Sequence, residues 1–222
     1  MPANPSAAIE ISAFNWVPDF AKGLVRDLRL RWALEEAGLD YRVRLLDATT
    51  ERPQDYFLEQ PFGQVPVFVE GELHMFESGA ILLHLGQRSE ALLPQDEIER
   101  ARATCWLIAA LNSIEPMIFD LVNIDIFNRG EEWAKLRRPE AEKKIRERLK
   151  RVADWLGEKD YLEGRFTVGD LMMTTVLRNL RHTKLVAEHP NLAAYQARCE
   201  ARPAFQRALA AQLADFEERQ AA

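Results

Sequence analysis

The chain has 222 residues, of which 47% are hydrophobic and 29% charged, a composition typical of a folded globular protein rather than a disordered one. Its formal net charge of -6 gives no general attraction to nucleic acid or to an anionic membrane, although a local basic pocket for a small acidic molecule is compatible with it. The sequence shows no apolar run of membrane-spanning length and no basic-then-apolar N-terminal segment, so we expect a cytoplasmic protein with no membrane partner.

Hydrophobic periodicity predicts a small α/β domain at the start of the chain. Residues 8–14 and 41–47 alternate with a period of two, as strands do, while residues 24–39 have the spacing of a helix that Gly38 is placed to end. Because the first two strands flank a helix, we expect them to be parallel. Residues 65–76 predict two further strands joined as a hairpin at Glu70-Gly71, which makes the sheet mixed.

Beyond an irregular polar stretch and a helix opened by Ser78, the domain is predicted to end at residue 88. Residues 89–96 are predicted to form a linker, and residues 97–222 an all-helical second domain. Each helix of that domain shows an apolar stripe, and the first stripe contains Ile98, Ala101, Cys105, Ile108 and Ala109. The charge run at 137–151 has acids interleaved with bases, which favours a solvated helix face and gives no sign of nucleic-acid binding.

The two cysteines, Cys105 and Cys199, lie far apart, each within a helical pattern. Without a CxxC motif they indicate neither a dithiol redox centre nor a zinc site, and we expect no bound metal. Free cysteine packs like a small hydrophobe, so both are expected in the core.

One stretch, residues 62–86 (FGQVPVFVEGELHMFESGAILLHLG), breaks two local rules. Pro66 stands between two valines where a strand is predicted, although proline cannot donate to a ladder. It fits an edge or turn position, or a cis bond after Val65. The bend of a cis bond would turn the Val65 N–H and C=O outward at the sheet edge, where a bound peptide could pair with them as an added strand.

The second feature is the pair Glu77-Ser78 at the start of a predicted helix. Serine there fits an ordinary N-cap that needs no ligand. A helix N-terminus also presents free N–H groups and a positive dipole end to a carboxylate, and Glu77 could bind an ammonium group. Together they would suit the zwitterionic head of an amino acid. This use of Ser78 requires that its side chain does not simply point into the interior.

These features in this order resemble the glutathione S-transferase family, of a bacterial cytosolic type whose class we do not assign. The resemblance also includes residues 28–47 and the FTVGDL segment, where Thr167 and Asp170 have capping-box spacing, and it covers essentially the whole chain. It implies a thioredoxin-like glutathione-binding domain followed by an all-α domain. It also implies a homodimer, a role in detoxification, and glutathione as co-substrate for attack on a hydrophobic electrophile.

Residue by residue, the resemblance implies that Val65 pairs with the cysteinyl part of glutathione and that Pro66 is cis. Glu77 and Ser78 would hold the γ-glutamyl end, and Gln64 lies where the family commonly contacts the tripeptide. The electrophile would lie in a cleft between the domains. The candidate residues for that pocket are Trp16, Phe20, Met117 and Leu121, although the spacing of the last two also fits a helix core.

The family's usual thiolate-stabilising residue is missing. Most members place a Tyr, Ser or Cys at the end of the first strand or the start of the first helix, but between Ser12 and Ala48 the only hydroxyl here is that of Tyr41, in the second predicted strand. We therefore expect backbone N–H groups and a cation to favour the thiolate. The candidate side chains, each of which also fits a plain surface role, are Asn15, Lys22, Arg26, Arg178 and Arg181.

The missing hydroxyl also supports an alternative, a non-catalytic glutathione-binding or interaction module with the same fold. Turnover of several electrophiles would separate the two. A third possibility is a thioredoxin-like fold with a purely structural role. Among enzyme activities, exchange through a protein cysteine is disfavoured because the first domain contains no cysteine.

Overall fold

The structure is a computed structural model that describes residues 4–217. Its contacts divide the chain into two compact units, one formed by residues up to Leu93 together with those from Ala201 onward, the other by Pro94–Glu200. The first unit has a four-stranded sheet and the second is helical, which agrees with the predicted fold class. The predicted boundaries at 88 and 97 stay a prediction, and they did not anticipate that the last helix groups with the first unit.

The sheet of the first unit has the order β2-β1-β3-β4. β1 pairs in parallel with β2 and antiparallel with β3, and β3 and β4 form the hairpin, so the predicted mixed topology is confirmed. Gly71 turns that hairpin with a positive φ of 60°. The strands are β1 (Ile9–Phe14), β2 (Tyr41–Leu46), β3 (Phe68–Glu70) and β4 (Leu73–Met75).

Within residues 4–217, four α-helices accompany this sheet. The stretch predicted as irregular contains one of them, a single turn, because Pro53 O accepts from Tyr56 N–H and begins the turn. Gly38 ends the first helix in the left-handed conformation, as predicted. The helices are α1 (Asp27–Ala37), α2 (Tyr56–Glu59), α3 (Ser78–Gly86) and, from the end of the chain, α9 (Pro203–Glu217).

α1 is buried around its whole circumference from Asp27 to Leu34, including three charged residues. α9 supplies the partners that two of these charges need. Arg31 Nε donates to Asp27 Oδ2 at 2.8 Å and Arg31 also pairs with Asp215, while Gln212 Nε2 donates to Asp27 Oδ1 at 2.7 Å. A buried charge is tolerated only when it is paired, so these α9 residues explain why α1 can bury Asp27 and Arg31.

The second unit consists of helices and helical turns. α4 is followed by a π-helical segment, α5 by another, and α7 begins at a capping box in which Thr167 Oγ1 accepts from Gly169 N–H and Asp170 accepts from Thr167 N–H. The helices are α4 (Glu97–Ala109), α5 (Glu115–Val122), α6 (Glu132–Leu156), α7 (Val168–Leu177) and α8 (Pro190–Glu200).

The first apolar stripe predicted for this unit is exposed. Ile98 is 65% exposed and Ile108 and Cys105 are exposed too, whereas α4 buries Ala103 and Leu107. The expectation that both cysteines are core residues is therefore right for Cys199 and wrong for Cys105. Spacing identifies an apolar face but cannot tell whether the same chain covers it.

Residues Glu97–Phe127 form a helical run of 31 residues. By length and composition alone it could cross a membrane, which corrects the expectation that no apolar run reaches that length. Only 33% of its most apolar stretch is buried. A single helix of this kind is weak evidence of a membrane span, because core helices of soluble proteins meet the same criteria.

Candidate functional site

The loop before β3 carries the first part of the site. The Val65–Pro66 peptide bond is cis, as the resemblance implies. The Val65 side chain is buried, but its backbone N–H and C=O make no hydrogen bond within the part of the chain that the structure describes. Unpaired backbone groups just before a strand are what an extended peptide needs as partners.

Gln64, next in this loop, is exposed and lies within reach of a cation. Arg26 Nη1 lies 3.4 Å from Gln64 Oε1 and donates to it. Arg26 is the residue that precedes α1, so the start of that helix and the loop meet here. Arg26, one of the five candidate thiolate-stabilising residues, is thus joined to this loop by a hydrogen bond.

The Glu77-Ser78 pair starts α3, but Glu77 rather than Ser78 occupies the N-cap position. Ser78 is the first helical residue, so the N–H groups of the first turn have no intrahelical acceptor. Glu77 is exposed and holds a positive φ of 68°, which is uncommon for a residue with a side chain. A positive dipole end and a carboxylate therefore stand next to each other at this point.

Ser78 contacts a buried cation that the sequence analysis missed. Its side chain is 5% exposed, and Arg29 Nη1 of α1, itself 3% exposed, lies 3.1 Å from Ser78 Oγ. A guanidinium can only donate, so Ser78 Oγ is the acceptor and its own proton is not used in this bond. Ser78 thus points partly inward, yet it keeps a hydroxyl donor. The sequence gives one signal for this contact, which is an arginine inside a helix whose other residues are mostly apolar.

The other candidates of the first unit lie between β1 and α1. Asn15 N–H donates to Leu46 O at 3.0 Å, which anchors the end of β1. Lys22 pairs with Asp19 at 2.8 Å, and this ion pair lowers the pKa of Asp19. Trp16 is half-buried and Phe20 is exposed.

The second unit holds the remaining candidates. Leu121 is fully buried in its core, while Met117 lines a cavity of about 700 Å³ whose other walls include Arg137, Lys144 and Arg148. Arg178 Nη1 pairs with Glu200 Oε2 at 2.8 Å. Burial, and then the neighbouring Arg178, lowers the pKa of Arg181.

No cluster of three or more metal-ligating side chains occurs among residues 4–217. The groups that the first unit offers to a ligand are an unpaired backbone segment, a carboxylate beside a helix N-terminus, and a cation at the start of α1.

Family models cover both units. The model described as the N-terminal domain of glutathione S-transferase matches residues 21–87, and the C-terminal domain model matches residues 120–203.

Individual proteins agree with these models. Glutathione S-transferase F14 of Arabidopsis thaliana is 30% identical over 190 residues, which is 78% of this chain and 75% of that protein. Glutathione S-transferase GstA of Escherichia coli O157:H7 is 31% identical over 189 residues, 81% of this chain and 90% of that one. Among solved structures, a glutathione transferase from Burkholderia graminis, with two glutathione molecules bound per subunit, superimposes with a TM-score of 0.81. It is 25% identical, over 94% of this chain and 90% of that one.

Proposed function

Since this chain is a member of the glutathione S-transferase family, we propose that it binds glutathione in its first unit and joins the thiol sulfur of glutathione to a hydrophobic electrophile. Glutathione transferase activity follows from the family and its named members. The residues that bind, the group that favours the thiolate, and the electrophile are the parts that we propose. A detoxifying role and a cytoplasmic location belong to the same proposal.

The observation that carries the binding proposal is the unpaired backbone of Val65 in the same unit as the start of α3. The cysteinyl part of glutathione would exchange two hydrogen bonds with Val65, as a short added strand does. Its γ-glutamyl carboxylate would accept from the first-turn N–H groups and from the Ser78 hydroxyl, while Glu77 binds the ammonium group. Gln64 would contact the tripeptide, and Pro66 shapes the loop.

The catalytic step is nucleophilic attack by the thiolate. A free cysteine thiol has a pKa near about 8.5, so only a few per cent is ionised at neutral pH unless the site favours the anion. Residues 15–40 contain no Ser, Thr, Tyr or Cys. We propose that backbone N–H groups near the start of α1 and the guanidinium of Arg26 take over this task. Asn15, Lys22, Arg178 and Arg181 are the weaker candidates.

The test is a set of single Ala variants at Lys22, Arg26, Arg178 and Arg181, with kcat followed against pH for an aryl halide of the chlorodinitrobenzene type. Loss of the thiolate-favouring cation moves the thiol pKa upward, so Arg26→Ala should shift the basic rise of kcat to higher pH. Unchanged profiles in all four variants would show that no cationic side chain is involved. Substitutions of Trp16, Phe20, Met117 and Leu121 with several electrophiles test the proposed hydrophobic pocket.

A chain that binds immobilised glutathione but turns over none of these electrophiles would refute the enzyme and leave a binding module. Calorimetry with glutathione alone separates that outcome from a complete absence of binding.

We also propose that the protein is a homodimer. The exposed apolar face of α4, with Ile98 and Ile108, is the feature that supports it, since exposed apolar patches commonly mark protein contacts. Size-exclusion chromatography with light scattering gives the answer directly. A mass near the 25.5 kDa of one chain would contradict the dimer.

A further inference from the structure

The hydrogen bonds between β1 and β3 change at the end of β3 that adjoins the loop with Val65 and Pro66. The ladder runs regularly from Ile9 with Glu70 to Ile11 with Phe68. One position further, Ser12 N–H still donates to Val67 O at 2.9 Å, but Val67 N–H donates to the side-chain Oγ of Ser12 at 2.7 Å. A side-chain hydroxyl thus replaces the backbone carbonyl as the acceptor at the point where the two chains diverge.

The phenol of Tyr56, on the one-turn helix α2, continues this connection. Tyr56 Oη lies 2.9 Å from Ser12 Oγ and 2.6 Å from the carbonyl oxygen of Gln64. A carbonyl only accepts, so the phenol proton points to Gln64. Ser12 must then donate its own proton to Tyr56 Oη, because Oη has no second proton to give.

The direction of every bond in this chain is therefore fixed. It runs from Val67 N–H to Ser12, from the Ser12 hydroxyl to Tyr56, and from the Tyr56 hydroxyl to the Gln64 carbonyl. Its two ends are the residues that enclose Val65 and Pro66. The two hydroxyls therefore fix the residues on both sides of Val65–Pro66. Ser12 of β1 binds Val67, and Tyr56 of α2 binds Gln64.

The surroundings make these bonds costly to lose. Ser12 is 1% and Tyr56 3% exposed, and water cannot readily replace a partner at such positions. Burial is the main cause that raises the pKa of Tyr56, so the phenol keeps its proton at neutral pH and remains a donor. Arg44 stacks over the Tyr56 ring, with its Cζ 5.6 Å from the ring centroid, and fixes the ring from the side.

We propose that Ser12 and Tyr56 are positioning residues for glutathione. They touch no part of it, but hold the Val65 N–H and C=O at the spacing that an added strand requires. This inference rests on the proposed glutathione site of the first unit. It extends that site to two further residues, of which Ser12 lies 55 residues from its partner Val67, and it assigns the serine of β1 to the loop rather than to the thiol.

The experiment compares Tyr56→Phe, Ser12→Ala and the double variant with the wild type. Calorimetry first establishes that the wild type binds glutathione, since a failure there would refute the proposed site itself. Each single variant should raise KM for glutathione about tenfold with kcat changed less than about twofold, because a misplaced loop weakens binding but leaves the chemistry intact. The double variant should cost little more than either single one, since a break at any link releases the same loop.

Tyr41→Phe is the matched control. It removes another buried phenol from the same unit, and Tyr41 makes no hydrogen bond to the loop. Amide exchange of Val67, followed by NMR, should accelerate in Tyr56→Phe and not in the control. An unchanged KM in a folded Tyr56→Phe, or an equal rise in the control, overturns the inference. Tyr56→Phe preserves volume and carries the test even if Ser12→Ala does not fold.

Discussion

At the scale of single residues, Arg29 shows how a buried charge can serve a surface site. It lies inside the first unit, where an arginine is expensive, and it donates to Ser78 at the start of α3. The bond leaves the Ser78 proton for an outside acceptor. The positive charge beneath adds to the dipole end of the helix, so both favour an anion at this point.

We expect Arg29→Met to weaken glutathione binding about tenfold, the cost of losing a charge-assisted contact. The loss should be nearly independent of salt, because a buried charge is poorly screened. Calorimetry at two ionic strengths measures both. Arg88→Met, which removes an exposed partner of Glu70 from the same unit, is the control and should leave affinity unchanged. Full affinity in a folded Arg29→Met would show that the cation only supports the fold.

The parts of the site that could be predicted from the sequence all lie within residues 62–86. Pro66, Val65 and the Glu77-Ser78 pair could be found because their rule-breaking is local. Arg29 and Ser12 could not, because their bonds to Ser78 and Tyr56 span 49 and 44 residues of sequence. Only a charged residue inside an apolar helix pattern hinted at the first of these.

At the scale of elements, the capping box of α7 was predicted from Thr-x-x-Asp spacing and is present. The carboxylate of Asp170 also binds groups outside this capping box. Asp170 Oδ1 also accepts from Leu162 N–H at 2.9 Å and from the Tyr195 hydroxyl at 3.1 Å, so it joins the start of α7 to the preceding loop and to α8. The sequence could not supply these partners.

Asp170 makes stability depend on pH. Burial is the largest influence on it and raises the pKa from 3.8 to about 6 despite the hydrogen bonds that oppose the shift. The folded protein therefore binds this proton more tightly than the unfolded chain. The contribution is fully present below about pH 4 and is lost as the pH rises through about 6, on the order of 3 kcal/mol in all.

Asp170→Asn should flatten the pH dependence of the unfolding free energy between about pH 4 and 6. Urea unfolding at a series of pH values measures it. Asp160→Asn, which changes an exposed carboxylate of the same unit, should keep the wild-type slope. If the slope persists in Asp170→Asn, the titrating group lies elsewhere.

For α4, unlike α7, the sequence pattern predicted the helix but not its surroundings. Its periodicity correctly indicated a helix, but the apolar stripe that the spacing identifies is exposed. Two apolar faces occur on this helix, and small residues such as Ala103 are the ones that allow close packing within the unit. A pattern of hydrophobic residues does not state whether its partner belongs to the same chain.

At the scale of the whole molecule, the last helix, α9, belongs to the same unit as the start of the chain. The order of strands and helices was predictable because each element carries its own period. The grouping of α9 with residues up to Leu93 was not, because it depends on pairs such as Arg31 with Asp215 that lie 184 residues apart. Trp32 of α1 and Phe205 of α9 meet edge to face, with ring centroids 4.8 Å apart.

Phe205→Ala should therefore destabilise the first unit by about 3–5 kcal/mol, through lost burial and the cavity left beside Trp32. Thermal unfolding, followed by circular dichroism, measures the loss. Leu58→Ala, which truncates a side chain that is 89% exposed, is the control and should change little. An unaltered melting temperature for Phe205→Ala would mean that α9 does not contribute to the stability of this unit.

The positive φ of Glu77 has a consequence for anyone who wishes to engineer this protein. Glycine would relax that backbone at once, and a screen for heat resistance would favour it. The same replacement removes the carboxylate proposed to bind the substrate's ammonium group. Thermostability and activity therefore make opposite demands on residue 77. Selection for heat resistance alone should favour Glu77→Gly and so yield a more stable protein with lower activity.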